Sequence, residues 1–197
     1  MNDLATIADD IRRCQACGLA AQRTNAVPGE GDPHAELLFI GEGPGQHEDE
    51  QGRPFVGAAG KLLEQLLLGI DLTRDKVFIT NVVKCRPPGN RDPELTEIET
   101  CTSRYLQRQL DLIKPLLIVT LGRHAMERFL PGQRISAIHG QPKRVILPDL
   151  TVRVYYPVFH PAAALYRREL QTTLEQDFRK IPRILAFLKQ PPGETGA

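Results

Sequence analysis

The chain has 197 residues, of which 41% are hydrophobic, and its formal net charge at pH 7 is +1. This length suffices for one large domain with its own core, and the hydrophobic content is too high for a chain that is disordered throughout. The small net charge excludes a globally basic nucleic-acid-binding protein, so any nucleic-acid site has to be a local patch of cations. No apolar run approaches the roughly 18 residues that span a membrane.

Strands and helices alternate along the predicted chain. Residues 24–34 are rich in Gly, Pro and Asp and are predicted to form a loop. In chain order, the hydrophobic pattern predicts a helix over 2–13, a strand over 36–40, a helix over 58–69, a strand over 77–80, a helix over 94–113, a strand over 115–121, a helix over 122–130, strands over 143–147 and 151–159, and a helix over 172–188.

This alternation predicts a three-layer α/β/α fold with a central, mostly parallel sheet of about four strands. We expect a single domain over residues 1–197, with residues 190–197 as a frayed tail. Residues 1–6 include an acid and lack the apolar core of a signal peptide, and four cysteines are too few for a disulfide scaffold. The sequence therefore predicts a cytoplasmic protein, with a monomer as the default.

Three of the predicted strands are followed by residues suited to ligand binding. The segment Gly41-Glu42-Gly43-Pro44-Gly45 follows the strand over 36–40, Asn81 follows the strand over 77–80, and His160 follows the strand over 151–159. In an open α/β sheet, ligands bind in the crevice beyond the carboxyl ends of the strands. We therefore expect these three segments to face one ligand site.

Each of these features also has a purely structural interpretation. The glycine segment is either a tight turn or a loop whose amides approach a ligand closely. Phe55, between Pro54 and Val56, is either a core anchor or a flat platform for a nucleobase. His160 is either a structural side chain or a neutral hydrogen-bond donor to developing negative charge.

The four cysteines are spaced as C-x2-C at Cys14 and Cys17, followed after a long gap by C-x15-C at Cys85 and Cys101. The first pair can bind one metal centre, to which two distant segments then add a thiolate each. This spacing suits an iron–sulfur cluster at least as well as a structural zinc ion. The alternative is that Cys85 and Cys101 are buried, inert thiols.

Several cations fall in predicted loops or at the ends of elements. Lys84, Arg86 and Arg91 follow the strand over 77–80, where they can meet an anion. If the strand ends face one way, a larger set would line one face and meet DNA phosphates, with ordinary surface charge as the alternative. That set is Arg86, Arg91, Arg134, His139, Lys143, Arg144, Arg167 and Arg168.

Taken together, four motifs resemble family 4 uracil-DNA glycosylases in order and spacing. They are Gly-Glu-Gly-Pro-Gly around Glu42, Gly-Arg-Pro-Phe-Val-Gly around Phe55, Thr-Asn-Val-Val-Lys-Cys-Arg-Pro-Pro around Asn81, and His-Pro-Ala at His160. The resemblance runs from about Cys14 to Arg167. It implies a glycosylase-type α/β/α fold and a DNA-repair enzyme that excises uracil from single- or double-stranded DNA.

The resemblance also implies roles for individual residues. The backbone of Gly41, Glu42 and Gly43 would contact uracil, Phe55 would stack on it, Asn81 would read its edge, and His160 would face its O2 side. Glu42 would handle the attacking water, with Glu48 and Asn90 as competitors. Phosphate contacts would come from Arg86, Arg91, His139 and Arg167. A [4Fe-4S] cluster would be bound by Cys14, Cys17, Cys85 and Cys101.

Three rival functions stay open at this point. A related branch bonds covalently to the excised site through a histidine in an inserted basic loop, but residues 84–93 are short and hold no histidine. A non-catalytic four-cysteine module that binds nucleic acid would need neither His160 nor the Asn81–Phe55 pair. A nucleotide-binding α/β enzyme is disfavoured because the glycine segment lacks the lysine of a phosphate loop.

Overall fold

The computed structural model describes residues 3–190. Within this range six strands form one sheet in the order β1-β3-β2-β4-β6-β5. The strands are β1 (Glu30–Gly31), β2 (Leu37–Gly41), β3 (Phe78–Asn81), β4 (Leu117–Leu121), β5 (Lys143–Ile146) and β6 (Val152–Val158). The inner strands β3, β2, β4 and β6 run parallel, whereas β1 and β5 pair antiparallel at the two edges.

The mostly parallel sheet is confirmed, but the predicted count of about four strands is too low for the described residues. The strand β1 has two residues and lies inside the predicted loop over 24–34. A strand this short has no hydrophobic period, so only its pairing with β3 defines it. The strand β5 corresponds to the strand predicted over 143–147, and its antiparallel pairing with β6 makes it an edge strand of the same sheet.

Helices fill the connections between the strands. They are α1 (Leu4–Arg12), α2 (Gln46–Gln51), α3 (Ala58–Leu68), α4 (Leu95–Cys101), α5 (Gln107–Ile113), α6 (Arg123–Phe129), α7 (Ile135–Ile138), α8 (Pro161–Ala164) and α9 (Arg168–Leu188). A π-helical stretch, Thr102–Leu106, joins α4 to α5, so the helix predicted over 94–113 is nearly continuous. Sequence patterns missed the short helices α2, α7 and α8. The predicted tail lies, apart from Gln190, outside the described residues.

The alternation of strand residues separates two hydrophobic layers. In β2, Leu38 and Ile40 pack on one side with residues of α1, α5 and α6, whereas Leu37 and Phe39 pack on the other with α3 and α9. Both faces of the inner strands are therefore buried, as expected for a parallel sheet covered by helices. This confirms the three-layer α/β/α arrangement. No helix between residues 3 and 190 is both long and apolar enough to cross a membrane.

The parallel register brings the predicted strand-end residues to the same edge of the sheet. Gly41, at the end of β2, lies opposite Asn81, at the end of β3. The strand β6 runs parallel to β4, with Val158 opposite Leu121, and reaches His160 two residues later. Backbone pairing thus positions the glycine segment, Asn81 and His160 beyond the same carboxyl edge.

Candidate active site

A cavity of about 400 Å³ opens beyond the carboxyl ends of β2, β3 and β6. It collects candidates from five separate segments of the chain. The predicted residues that line it are Glu42, Gly43, Glu48, Phe55, Asn81, Asn90, Arg91 and His160. Its location agrees with the general rule for ligand sites in open α/β sheets.

Asn81 is packed against Gly41 at the base of this cavity. Only 2% of Asn81 is exposed, and its Oδ1 atom has no hydrogen-bond partner within residues 3–190. A Cβ atom at position 41 would overlap this Oδ1 and would lie 2.7 Å from Cζ of Phe55. Glycine is therefore required at position 41 for Asn81 and Phe55 to approach each other. The buried, unpaired acceptor is available to a ligand donor.

Phe55 is a core residue and also lines the cavity, since it is 7% exposed and packs in the hydrophobic core. Its φ angle of 51° lies in the left-handed region, which is rare for a bulky residue. The centroid of its ring is 5.8 Å from that of His160, at an interplanar angle of 31°. The two rings therefore bound one part of the cavity together.

His160 caps the N-terminus of α8 and is held in one tautomer. Its Nδ1 atom accepts a hydrogen bond of 3.1 Å from the amide of Ala162, so in the neutral ring the proton is on Nε2. Burial lowers the pKa of His160 to about 4. Gly122, with φ of 89°, packs below the imidazole, since an added Cβ would lie 2.9 Å from Cβ of His160. His160 is thus a neutral donor at pH 7.

Glu42 belongs to a small polar cluster at the mouth of the cavity. Its Oε2 atom is 3.9 Å from Nε2 of His124, and the same nitrogen is 3.4 Å from Oδ2 of Asp92. Burial raises the pKa of Glu42, with the charge of His124 acting in the opposite direction. Sequence reasoning missed Asp92 and His124 as neighbours of Glu42, because they come from a loop and a helix far away in sequence.

The two competitors of Glu42 are engaged with protein groups. Oε1 of Glu48 accepts from the amides of Val56 and Gly57 at 2.9 and 3.0 Å, and Oε2 accepts from the amide of Gly45 at 3.2 Å. Oδ1 of Asn90 accepts from Nε of Arg86 at 2.7 Å. Both side chains line the cavity, and both also hold the loops that form it.

The expectation that Lys84 meets an external anion is wrong. The residue is 1% exposed, and its Nζ donates to Oγ1 of Thr80, to the carbonyl of Asn81 and to Oε1 of Gln109, at 2.5, 2.7 and 2.7 Å. These three oxygens provide the acceptors that a buried amino group needs, and burial lowers the pKa of Lys84 to about 7. Lys84 therefore holds the backbone carbonyl of Asn81 from inside the protein.

The other candidate cations differ in their surroundings. Arg91 pairs with Glu97 at 2.7 Å, and Nδ1 of His139 is 2.7 Å from the buried carboxylate of Asp177. Arg86 bonds Asn90, and Arg167 is exposed at the start of α9. Carboxylates thus already compensate Arg91 and His139.

All four cysteines line one small pocket, which they share with Ile11, Leu19 and Tyr105. All four are free thiols. Cys14 and Cys17 follow α1, Cys85 follows β3, and Cys101 ends α4. Burial raises the pKa of Cys85 and raises that of Cys101 to about 11.

Nitrogen donors surround the sulfur atoms of this pocket. Nη1 of Arg23 donates to Sγ of Cys85 at 3.0 Å, and the amide of Lys84 donates to Sγ of Cys101 at 3.3 Å. Such hydrogen bonds are typical of thiolates that bind a metal centre. Spacing alone left the role of Cys85 and Cys101 open, and the fold brings them together with the C-x2-C pair.

The chain matches the family model of the uracil DNA glycosylase superfamily over residues 28–186. The chain belongs to this superfamily. A type-4 uracil-DNA glycosylase of Sulfurisphaera tokodaii is 51% identical over 186 residues, which cover 92% of this chain and 84% of the relative. One of Archaeoglobus fulgidus is 46% identical over 97% of each chain. A type-5 uracil-DNA glycosylase of Thermus thermophilus is 38% identical over 56% of this chain and 58% of the relative.

Membership in the uracil DNA glycosylase superfamily agrees with the fold class predicted from the sequence. The similarity to type-4 members and the shared pocket of four cysteines are consistent with an iron–sulfur cluster. In this superfamily member, the end of β3 supplies Asn81 to the cavity, and the segment that follows it supplies Cys85 to the cysteine pocket.

Proposed function

We propose that this chain is a DNA-repair glycosylase that hydrolyses the N-glycosidic bond of uracil in DNA and leaves an abasic site. The observation that carries the proposal is the buried Oδ1 of Asn81, which has no hydrogen-bond partner among residues 3–190 and lies at a cavity bounded by an aromatic ring and a neutral imidazole. Leaving a buried acceptor unpaired costs about 1–3 kcal/mol, so such a group marks a ligand site. The type-4 relatives support this assignment.

The substrate base enters the cavity by leaving the DNA stack. Enzymes that act on a base inside a duplex extrude it into a pocket, and the cost is least for mispaired or single-stranded bases. Uracil opposite guanine and uracil in single strands are therefore the most readily processed substrates. The backbone of Gly41 and Gly43 allows close approach, and Phe55 stacks on the base, a contact worth about 1–3 kcal/mol.

Asn81 distinguishes uracil from cytosine by hydrogen-bond polarity. Its amide oxygen accepts from N3–H of uracil, and its amide nitrogen donates to O4. Cytosine presents an unprotonated N3 and an amino group at these positions. The amide oxygen of Asn81 would then face another acceptor, and its amide N–H would face another donor. Each buried mismatch costs roughly 1–3 kcal/mol, which is enough to exclude cytosine.

His160 stabilises the departing base. Cleavage of the N-glycosidic bond leaves the sugar with cationic character and the bonding electron pair on uracil, mainly at its oxygens. A neutral imidazole that donates from Nε2 to O2 lowers the energy of this anion in a site that excludes water. Because the pKa of His160 is about 4, the ring acts at pH 7 as a hydrogen-bond donor.

Glu42 is the carboxylate best placed to handle water. Backbone amides occupy both oxygens of Glu48, and Oδ1 of Asn90 holds Arg86, whereas the Glu42 carboxylate faces the side chain of His124 at 3.9 Å. We assign to Glu42 the orientation of the water that attacks C1′ and the acceptance of its proton. The negative charge also favours the cationic sugar.

The four cysteines hold a [4Fe-4S] cluster in this proposal. Four cysteine thiolates are the usual ligands of such a cluster, and all four line one pocket. Arg23 and the Lys84 amide already donate to two of the sulfurs, as expected for thiolates that bind a metal centre.

The proposed cluster joins the segment after α1 to the Cys85–Cys101 segment and requires no redox step in the hydrolysis. Among the cations, Arg86 and Arg167 are the stronger candidates for phosphate contacts, because Arg91 and His139 already face carboxylates. The free thiols accord with a cytoplasmic protein, and the single-domain, monomeric state stays a prediction.

Uracil-containing single-stranded DNA, incubated with the iron-loaded protein and resolved on a denaturing gel with and without alkali, tests the proposal. Alkali-dependent cleavage over many turnovers is expected. A shifted band that survives denaturation would replace it by the covalent relative, and DNA binding without either signal would replace it by the non-catalytic module.

Asn81→Asp tests recognition in the same assay. We expect uracil-over-cytosine selectivity to fall by about tenfold or more, since the donor to O4 is removed. Gln133→Glu, the same change from amide to acid at an exposed residue, is the matched control. Unchanged selectivity in Asn81→Asp would refute the role of Asn81.

A further inference from the structure

The stacking residue Phe55 is held in a backbone conformation that it would not adopt freely. Its φ of 51° lies in the region favoured by glycine and asparagine, not by aromatic residues. The helix α3 packs directly against this peptide, because a Cβ at Gly60 would overlap the carbonyl of Phe55. A surrounding structure must therefore impose the conformation.

Arg74 binds this peptide from one side. It opens a short 3-10 turn ahead of β3, and its side chain is 18% exposed. Nη1 donates to the carbonyl of Phe55 at 3.0 Å, and Nη2 donates to the carbonyl of Pro54 at 2.6 Å. The planar guanidinium thus fixes the carbonyl before Phe55 and the carbonyl of Phe55 itself.

Glu30 holds Arg74 in turn. Its Oε1 atom accepts from Nη2 of Arg74 at 2.6 Å, and its Oε2 accepts from Nε of Arg53 at 2.8 Å. Glu30 lies on β1, where it pairs with Ile79 of β3. The two-residue edge strand therefore ties the Arg74 contact to the strand that carries Asn81.

The other side of the peptide is held by Glu48, which accepts from the amides of Val56 and Gly57. Arg74 thus binds the carbonyls of Pro54 and Phe55, and Glu48 binds the two amides that follow Phe55. We propose that Arg74 is a positioning residue that fixes the Phe55 ring for stacking on uracil. This inference rests on the proposed function and adds a residue that does not line the cavity.

A purely stabilising ion pair is the competing interpretation of Arg74. Breaking such a pair would lower the melting temperature, but it would disturb the position of Phe55 no more than that of any other cavity residue. Arg53→Gln is the matched control, since Arg53 also binds Glu30 but is 59% exposed, and its side-chain hydrogen bonds within residues 3–190 go to Glu30 rather than to the Phe55 peptide. Arg74→Lys keeps the charge but loses the fork that reaches two carbonyls and a carboxylate.

The experiment measures single-turnover excision and inhibition by free uracil, with thermal unfolding as a check that each variant is folded. Arg74→Gln should slow excision by about 10- to 100-fold, the cost of a misplaced contact, and weaken inhibition by uracil. Arg74→Lys should fall in between, and Arg53→Gln should stay within about twofold of the wild type.

The decisive comparison uses Phe55→Ala as the background. If Arg74 acts through the ring, Arg74→Gln adds little once the ring is gone, because coupled residues are not additive. An equal loss in both backgrounds, or an Arg74→Gln variant as active as Arg53→Gln, would overturn this inference while the wild type still excises uracil. A wild type without excision would overturn the proposed function, and this inference with it.

Discussion

The cavity and the cysteine pocket lie on the same segment of chain but are built in opposite ways. The cavity is open, holds about 400 Å³, and keeps the Oδ1 of Asn81 buried without a hydrogen-bond partner in the described part of the chain. The cysteine pocket is small, and the sulfurs of Cys14, Cys85 and Cys101 already accept hydrogen bonds, from the Ala16 amide, Arg23 and the Lys84 amide respectively. Groups left unsatisfied favour a ligand that comes and goes, whereas converging thiols with their own donors favour a resident group.

Lys84 lies between the two regions and connects them. Its ammonium supports the carbonyl of Asn81, and its amide donates to Cys101. Lys84 therefore links the strand that carries Asn81 to the cysteine pocket. Variants can show whether the two regions also act separately, one in catalysis and the other in stability.

The largest effect on activity is expected for His160→Ala, which changes the cavity. Loss of the donor to O2 should lower the single-turnover rate by about 10²- to 10³-fold, as for other donors to a developing anion. Affinity for uracil-containing DNA should change by only a few-fold, and the iron content should not change. Rate measurements, DNA titration and iron analysis check these three expectations. His34→Ala, at an exposed residue, is the control.

A rate loss in His160→Ala that is matched by an equal loss of DNA affinity would contradict this assignment. His160 would then act in binding rather than in stabilising the leaving group. Loss of iron in the same variant would show that the two regions are not separate.

Cys101→Ala changes the cysteine pocket and should affect stability and iron content. Binding of a metal centre adds to the free energy of unfolding, so its loss should lower the melting temperature by at least about 5 °C, since each kcal/mol is worth roughly 2–4 °C at this size. Iron and sulfide per chain should fall sharply. Ser103→Ala, at an exposed residue two positions later, should retain both. A Cys101→Ala variant with full iron content would remove Cys101 from the ligand set.

The smallest expected effect concerns the pH dependence of kcat/KM. Burial raises the pKa of Glu42 above 4.5, and we take the carboxylate as the active form, so kcat/KM should fall as the pH drops through a value above 4.5. His160, with a pKa of about 4, should give no inflection near 6.5. The pH profile of Glu42→Gln should lose this acidic limb, while that of Glu50→Gln should keep it. An unchanged limb in Glu42→Gln would assign the titration to another group.

Much of the fold could be predicted because its signals are local. The strands β2, β3, β4 and β6 are short apolar runs, and the structure confirms each within about two residues of the predicted ends. The helix α9 begins at Arg168 rather than at residue 172, and the four-residue α8 precedes it. Elements as short as α7, α8 and β1 carry no period, so tertiary pairing and packing alone define them.

By itself, the sequence determined at which strand ends the candidate residues lie, because apolar runs followed by glycine, asparagine or histidine are local patterns. The spacing of four cysteines was equally visible. Only the tertiary structure decided that Lys84 is buried, that His124 and Asp92 face Glu42, and that Arg74 binds the Phe55 peptide. These contacts join distant segments, and the balance between desolvation and available partners decides them, which no local pattern records.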